Sequence, residues 1–207
     1  MIEVIGAYSL NISLILYCVY FIPQIVYNQI IKKTDQISLV TQGLMVIANL
    51  CDFIYGFYLF MPWQYKLVTI LSLSFLAIQQ IQIGLKQYKN FNFIALSILL
   101  VIFLGIVINT IDKMNLPPSS INLFGLITDI IYWVYWIPQI LFNWRHKKAD
   151  GFSQVFLYLT LFASICDEIS ALTLGWNYPS IIGPLVIIAM IVTILFQHKL
   201  YNKHIFG

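Results

Sequence analysis

The stretch IPQIVYNQIIKKTDQISLVTQGLMVIANLCD (residues 22–52) returns in altered form as IPQILFNWRHKKADGFSQVFLYLTLFASICD (residues 137–167). The two copies align without a gap at an offset of 115 residues (137 − 22 = 115), and fourteen of the 31 positions are identical. Each copy begins with a Pro-Gln pair and ends with an aspartate inside an apolar segment. A duplicated apolar unit with matching polar residues is typical of membrane proteins built from structural repeats, whose functional site lies where the repeats meet.

The composition also indicates a membrane protein. Apolar residues make up 60% of the chain, charged residues 9%, and the mean hydropathy is +0.86. These values exclude an ordinary soluble globular domain. The three cysteines have neither CxxC nor Cys/His spacing, so we expect no metal site and no disulfide framework. The first apolar stretch lacks a basic preceding region, and we interpret it as a retained helix and not as a cleaved signal peptide.

Seven segments have the length and apolarity of a membrane-spanning helix, which needs about 20 residues. We place them at about 5–30, 39–60, 65–86, 92–111, 120–143, 153–174 and 179–198. Spans 1–3 correspond to spans 5–7 at the repeat offset. The predicted fold is therefore an all-α membrane protein of two parallel three-helix bundles joined by a connector helix, a 3+1+3 arrangement. The expected domains are residues 1–88, 89–114 and 115–207.

The distribution of Lys and Arg predicts the orientation. Nine of the eleven basic residues fall on the side that carries the Pro-Gln loops and the C-terminus, and the other side has Lys66 and Lys113. By the positive-inside rule, we expect an integral, multi-pass protein with cytoplasmic Pro-Gln loops and C-terminus, and with the N-terminus outside or lumenal.

The Pro-Gln pairs predict hinges. A proline in a helix removes one backbone hydrogen bond and clashes with the carbonyl four residues earlier. Inside a bilayer the freed carbonyl needs a partner in the protein, and the neighbouring glutamine amide can supply one. We therefore predict a hinge or gate at these kinks, although a static kink is the alternative. The residues assigned to it are Pro23, Gln24, Asn28, Pro138, Gln139 and Asn143.

Four carboxyl groups lie within the predicted spans: Asp52, Asp129, Asp167 and Glu168. Acids are costly in a bilayer, by about 2.5–3.5 kcal/mol at mid-helix, so each is a candidate functional residue. At about 1.5 Å per residue, Asp129 and Asp167 come to similar depths, and we expect them to face one another. We assign them to proton coupling. The first repeat has Leu14 where the second has Asp129 (129 − 115 = 14), so we expect the chemistry to be concentrated in the second repeat.

Small or polar side chains share helix faces with these acids at three- and four-residue spacing. Small residues on such faces can also serve helix packing alone, but that does not explain the aspartates. The predicted substrate-binding residues are Asn49, Asp52, Gln79, Tyr132, Trp136, Ser164 and Glu168.

The doubled motif resembles the PQ-loop family, which includes cystinosin and lysosomal cationic amino-acid exporters, with SWEET sugar transporters and the KDEL receptor as structural cousins. The second copy is the closer match, with Pro138-Gln139, Asn143, the lysine pair and Asp150-Gly151. The first copy departs at Gln36, where glycine is usual. The resemblance covers nearly the whole chain and is more specific for the fold than for the substrate.

The resemblance implies a secondary transporter of a small polar solute, an amino acid or a related amine, and the intramembrane acids favour coupling to protons. The alternatives are a SWEET-type sugar carrier, and a receptor or a lipid scramblase on the same fold. The expected partners are a small-molecule substrate, protons and the lipid bilayer, with no nucleic acid and no cofactor. We expect no enzyme activity, because His198 at the end of the last span is the one histidine in the spans. Retinal is excluded by the absence of a lysine from the last span.

Overall fold

The computed structural model describes residues 2–31, 36–85, 102, 106, 117–176 and 178–202. These residues form helices joined by short connections. In chain order the helices are α1 (Ile2–Val19), α2 (Phe21–Ile31), α3 (Leu39–Tyr58), α4 (Trp63–Ile83), α5 (Pro118–Val134), α6 (Ile137–His146), α7 (Gln154–Thr173) and α8 (Tyr178–Asn202).

Six helices of the described part are long and apolar enough to cross a membrane. They are Ile2–Ile30, Leu39–Tyr58, Trp63–Ile83, Leu123–His146, Gln154–Thr173 and Ser180–Tyr201. Their outward faces expose large apolar side chains, as contact with lipid requires. Apart from Ile102 and Ile106, the predicted fourth span lies outside the described residues. The seventh helix and the connector between the two bundles therefore stay predictions.

The repeat extends over all the long helices. Helices α3 and α7 begin and end 115 residues apart (154 − 39 = 115 and 173 − 58 = 115). Helices α4 and α8 also begin 115 residues apart (178 − 63 = 115). The sequence identity in residues 22–52 thus reports a duplicated three-dimensional unit.

Each proline motif coincides with an interruption of its span. Tyr20 separates α1 from α2, and Tyr135 and Trp136 separate α5 from α6. In both cases the break lies just before the proline, whose ring clashes with the preceding turn. The expected local role of the glutamine is wrong, because the Gln24 amide donates to Asn28 and to Gly151 and not to the carbonyl freed by Pro23.

The two repeats interlock through their first helices. Helix α1 packs most extensively against α7 of the other repeat, and α5 packs in the same way against α3. Within each repeat, α3 packs on α4 and α7 on α8. Side chains of α1 and α5 therefore meet the aspartate-bearing helix of the opposite repeat.

Candidate functional site

A cavity of about 150 Å³ lies between the two repeats. It reaches Trp176 in the α7–α8 connection at one end of the bundle. Seven of the residues assigned from the sequence to substrate binding or proton coupling line it: Asn49, Asp52, Asp129, Tyr132, Trp136, Ser164 and Asp167.

Aromatic side chains close the other end of this cavity. Tyr20 stacks on Phe156 with ring centroids 5.6 Å apart, and Phe156 stacks on Phe152 at the same separation. The Trp136 ring meets Phe152 edge to face at 5.2 Å. All four side chains are buried. This aromatic floor separates the cavity from the end of the bundle where α2–α3 and α6–α7 are connected, which we call the PQ-loop end.

Asp167 on α7 is held by the first helix of the other repeat. Its carboxylate accepts hydrogen bonds from the Ser13 hydroxyl and from the Tyr17 hydroxyl, the latter at 2.6 Å. Ser9 supports this contact by donating to the carbonyl of Cys166 at 2.8 Å. A carboxyl group far from water requires such donors, and here the opposite repeat supplies them.

Asp52 on α3 has a related arrangement. Its carboxylate accepts a hydrogen bond from the hydroxyl of Tyr65 on α4, and it interacts electrostatically with Tyr132 on α5. Tyr132 is the repeat equivalent of Tyr17 (132 − 115 = 17), so each aspartate interacts with the equivalent tyrosine of the opposite repeat. Gly56 leaves room for Tyr65, because a Cβ atom there would overlap the tyrosine ring. We call the Asp167–Tyr17 and Asp52–Tyr132 contacts the crossed Asp–Tyr pairs.

Asp129 lines the same cavity as Asp167. Asp167 is bound by Ser13 and Tyr17 of α1, and Asp52 interacts electrostatically with both Asp129 and Asp167. That Asp129 and Asp167 face one another stays a prediction.

Two residues assigned from the sequence to substrate binding lie outside the cavity lining. Glu168 is buried on α7, and Gln79 is fully buried on α4. Asn49 does line the cavity, but its amide donates to the Met45 carbonyl of its own helix at 2.8 Å and not to Asp52.

The glutamine of the first Pro-Gln motif crosses to the second repeat. The Gln24 side-chain amide donates to the Gly151 carbonyl at 3.1 Å. Its carbonyl oxygen accepts from the Ser153 backbone N–H, at the N-cap of α7, at 2.7 Å. Gln24 is fully buried, and its amide also donates to Asn28 at 2.8 Å.

The second motif makes the same contacts in the opposite direction. The Gln139 amide donates to the Gln36 carbonyl at 3.0 Å, and its oxygen accepts from the Ser38 N–H at 2.8 Å. We call these four bonds between repeats, two from Gln24 and two from Gln139, the glutamine clasp. The clasp ties the repeats together at the PQ-loop end, beyond the aromatic floor.

Asparagine and a further glutamine hold each clasp residue in place. The Asn28 amide donates to Gln82 at 3.2 Å, and the Asn143 amide donates to Gln197 at 3.0 Å. Gln82 and Gln197 in turn donate to the backbone carbonyls of Ile25 and Ile140, at 3.1 and 3.0 Å. Four of the six hinge or gate residues of the sequence analysis, the two glutamines and the two asparagines, therefore belong to a buried amide network, and hinge motion itself stays a prediction.

Gly151 and its counterpart Gln36 explain why the two motifs differ. A Cβ atom on Gly151 would overlap the backbone carbonyl of Gln36. The two loops touch where they cross, and a glycine on one of them suffices for that contact. The glycine of the second motif thus has a steric reason, and the first motif accommodates a glutamine at the equivalent position.

Some site residues were missed in the sequence: Ser13, Tyr17, Tyr65, Gln82 and Gln197. The signal for three of them was present, because Tyr17 matches Tyr132 and Gln82 matches Gln197 at the repeat offset. Extending the alignment beyond residues 22–52 would have found these pairs. Ser13 and Tyr65 have no identical counterpart.

The two repeated bundles, the cavity between them and the crossed contacts define a multi-pass membrane protein with two pseudo-symmetric halves. The sequence-family model of the PQ-loop repeat matches residues 5–65 and again residues 120–180. The chain belongs to the PQ-loop repeat family.

Among solved structures, the chain is similar to a eukaryotic SWEET transporter, with a TM-score of 0.65 and 12% sequence identity. The similarity covers 98% of this chain and 99% of that one, and it shows a shared fold. A comparison with curated protein sequences found no match.

Proposed function

We propose that this protein is a secondary transporter of a small polar solute, an amino acid or a related amine, that moves the solute together with protons. The observation that carries the proposal is the cavity between the repeats, which contains the crossed Asp–Tyr pairs and is closed at the PQ-loop end by the aromatic floor and the glutamine clasp. A cavity closed at one end is one of the states that alternating access requires.

The carboxyl groups support an amine-bearing solute. Asp52, Asp129 and Asp167 line one cavity, and the described spans place no lysine or arginine among its lining residues. A solute ammonium group would therefore meet carboxyl oxygens and tyrosine hydroxyls, which are its natural hydrogen-bond acceptors.

The same groups support proton coupling. Protonation of Asp167 would remove its charge and weaken its hydrogen bonds from Ser13 and Tyr17, which link α7 to α1. Because that contact joins the two repeats, the proton and the relative position of the repeats are coupled. Asp52 offers a similar link between α3 and α5 through its electrostatic interaction with Tyr132.

The proposed movement between open and closed states takes place at the interruptions of the spans, at Tyr20 and at Tyr135–Trp136. Each lies just before a proline and between the cavity and the clasp. A change in bend there would move α2 and α6 relative to α1 and α5 and separate the clasp. Pro23 and Pro138 are the proposed hinges, and the predicted cytoplasmic location of the PQ-loop end makes this the cytoplasmic gate.

A sugar carrier is the second candidate. The cavity is lined by many aromatic and hydroxyl-bearing side chains, among them Tyr17, Tyr132, Trp136 and Trp176. Such side chains stack on sugar rings and hydrogen-bond their hydroxyls. The shared fold with a SWEET transporter agrees with this candidate, but an uncharged sugar does not require three carboxyl groups.

The test is uptake into proteoliposomes of radiolabelled amino acids, amines and monosaccharides, each with and without an inward proton gradient. We expect gradient-driven uptake of an amine-bearing solute. Asp167→Asn should abolish the response to the gradient. Uptake of a monosaccharide alone, without dependence on the gradient, would favour the sugar carrier.

Glu168→Gln is the matched control, since it removes the neighbouring acid of α7, which lies outside the cavity lining. It should leave the proton dependence of uptake intact. An equal loss in the Asp167 and Glu168 variants would show that the effect follows the helix and not the cavity carboxyl.

A further inference from the structure

Eight described residues have buried side-chain atoms that lack a hydrogen bond, four in each repeat. In the second repeat they are Thr128, Trp136 and Ser164, which line the cavity, and Glu168 on α7, which does not. The four of the first repeat lie towards the PQ-loop end: Gln36, Thr41, Gln42 and Gln79. Buried polar groups are nearly always hydrogen-bonded, so a group of exceptions indicates a place that water or solute occupies in another state.

Gln42 and Gln79 lie at the same depth on adjacent antiparallel helices. Gln42 is 16 residues before the end of α3 at Tyr58, and Gln79 is 16 residues after the start of α4 at Trp63. Both side chains are buried, with 1% and 0% of their surface exposed, and both atoms of each amide lack a partner.

Both glutamines continue the helix faces that line the cavity. On α4, Thr69, Ser72 and Leu76 line the cavity, and Gln79 follows three residues later on the same face. On α3, Met45 and Asn49 line it, and Gln42 precedes them by three and seven residues. The two helix faces that line the cavity therefore continue beyond it, towards the PQ-loop end, with two amide side chains.

The second repeat has an apolar wall at the equivalent positions. Its counterparts of Ser72 and Gln79 are Ile187 and Ile194, and its counterpart of Gln42 is Leu157. Leu157 and Ile194 are fully buried members of the hydrophobic core. One side of the pseudo-symmetric structure thus has a polar path, and the other has a packed apolar interface.

A hydrogen bond closes the polar path at the level of the floor. The hydroxyls of Tyr20 and Ser72 are 3.0 Å apart and buried. Tyr20 is also the residue that interrupts the first span. Movement at this break would remove Tyr20 from Ser72 and open the face of α4 towards Gln79.

We propose that the solute leaves the cavity towards the PQ-loop end through the first repeat, along α4 past Ser72 and between Gln42 and Gln79, and not along the symmetric path of α8. This inference rests on the proposed transport function. The two amides would form a transient polar subsite for a solute that carries hydrogen-bonding groups. Once the clasp is broken, water would enter this subsite before the solute passes through it.

The test is the rate of cysteine modification in a variant without Cys18, Cys51 and Cys166. The single substitutions Gln42→Cys and Gln79→Cys are compared with their repeat counterparts Leu157→Cys and Ile194→Cys. A membrane-impermeant charged methanethiosulfonate is added at the PQ-loop end, with the clasp intact or broken by Gln24→Leu and Gln139→Leu.

With the clasp broken, we expect the two first-repeat cysteines to react about tenfold or more faster than their counterparts, and with the clasp intact we expect all four to react slowly. Equal or faster reaction of the second-repeat cysteines would overturn the route. Thr160→Cys, a substitution in the cavity lining, shows separately whether the cavity itself becomes accessible from the PQ-loop end. If it never becomes reactive from the PQ-loop end, the transport proposal fails and the route with it. If it reacts while Gln42→Cys and Gln79→Cys stay protected, the route alone is wrong.

A second variant tests the same route without labelling. Gln42→Leu combined with Gln79→Ile copies the second repeat into the first. Because it removes amides without partners, it should raise the melting temperature. It should also slow solute release towards the PQ-loop end about tenfold, with unchanged solute binding from the other side of the membrane. Unchanged release in a folded double variant would contradict the proposal.

Discussion

The glutamine clasp should hold the PQ-loop end closed, and Gln139→Leu tests this directly. The substitution removes the two bonds that Gln139 makes to the first repeat, to the Gln36 carbonyl and the Ser38 N–H. At a net contribution of about 0.5–1.5 kcal/mol per hydrogen bond, the closed state loses about 1–3 kcal/mol relative to an open state in which water satisfies the same groups. The population of the open state should therefore rise by about 5- to 150-fold.

Pulsed electron spin resonance between two spin labels measures that population. Ile30 on α2 and Trp144 on α6 are exposed, at 73% and 60%, and they belong to different repeats. With labels at these positions in a cysteine-free chain, Gln139→Leu should shift the distance distribution towards longer separations. Gln24→Leu should produce a shift of similar size, because its two bonds between repeats have nearly the same lengths.

Gln154→Leu is the control for the spin-label experiment. Gln154 is also a glutamine near the PQ-loop end, but it is exposed and its amide contacts His198 within the second repeat. It should leave the distances unchanged. A folded Gln139→Leu variant whose distribution matches that of the unsubstituted chain would refute the clasp as a gate.

Two further substitutions test the contacts around the site. Gly151→Ala should lower the melting temperature and loosen the clasp, because its Cβ would overlap a backbone carbonyl of the first repeat. The control is Gly43→Ala on α3, which has open space around it and should be neutral or stabilising by up to about 1 kcal/mol. Tyr17→Phe removes the hydroxyl that donates to Asp167, and it should cost about 1–3 kcal/mol of stability and slow proton-driven uptake. Tyr158→Phe, at an exposed position, is the control and should do neither. Equal effects of the two variants on uptake would contradict the role of the crossed pair.

The two repeats contribute to the site more evenly than the sequence suggested. The sequence analysis concentrated the chemistry in the second repeat, because Asp129 and Glu168 have no acidic counterparts in the first. In the structure, both aspartates of the repeat have tyrosine donors, and Glu168 lies outside the cavity lining. The prediction that Asp167 matters more for transport than Asp52 still stands to be tested. Uptake by Asp52→Asn and by Asp167→Asn in the proteoliposome assay would decide it.

The sequence by itself determined the repeat, the six membrane-spanning helices of the described part and the aspartates of the cavity. A constant offset of 115 residues is visible without any structure, and apolar length predicts a membrane-spanning helix because the bilayer thickness is fixed. The high cost of a charge in hydrocarbon then identified Asp52, Asp129 and Asp167 as site residues, and all three line the cavity.

Only the tertiary structure decided which of these groups are partners. Tyr17 and Asp167 are 150 residues apart in the chain, and Gln24 and Gly151 are 127 apart. Helical periodicity states which residues share a face, but the rotation of each helix about its axis and the neighbour that the face meets depend on how the two repeats pack. For this reason only the packed structure showed that each aspartate contacts a tyrosine of the opposite repeat, and it replaced the expected local role of glutamine by a clasp between the repeats.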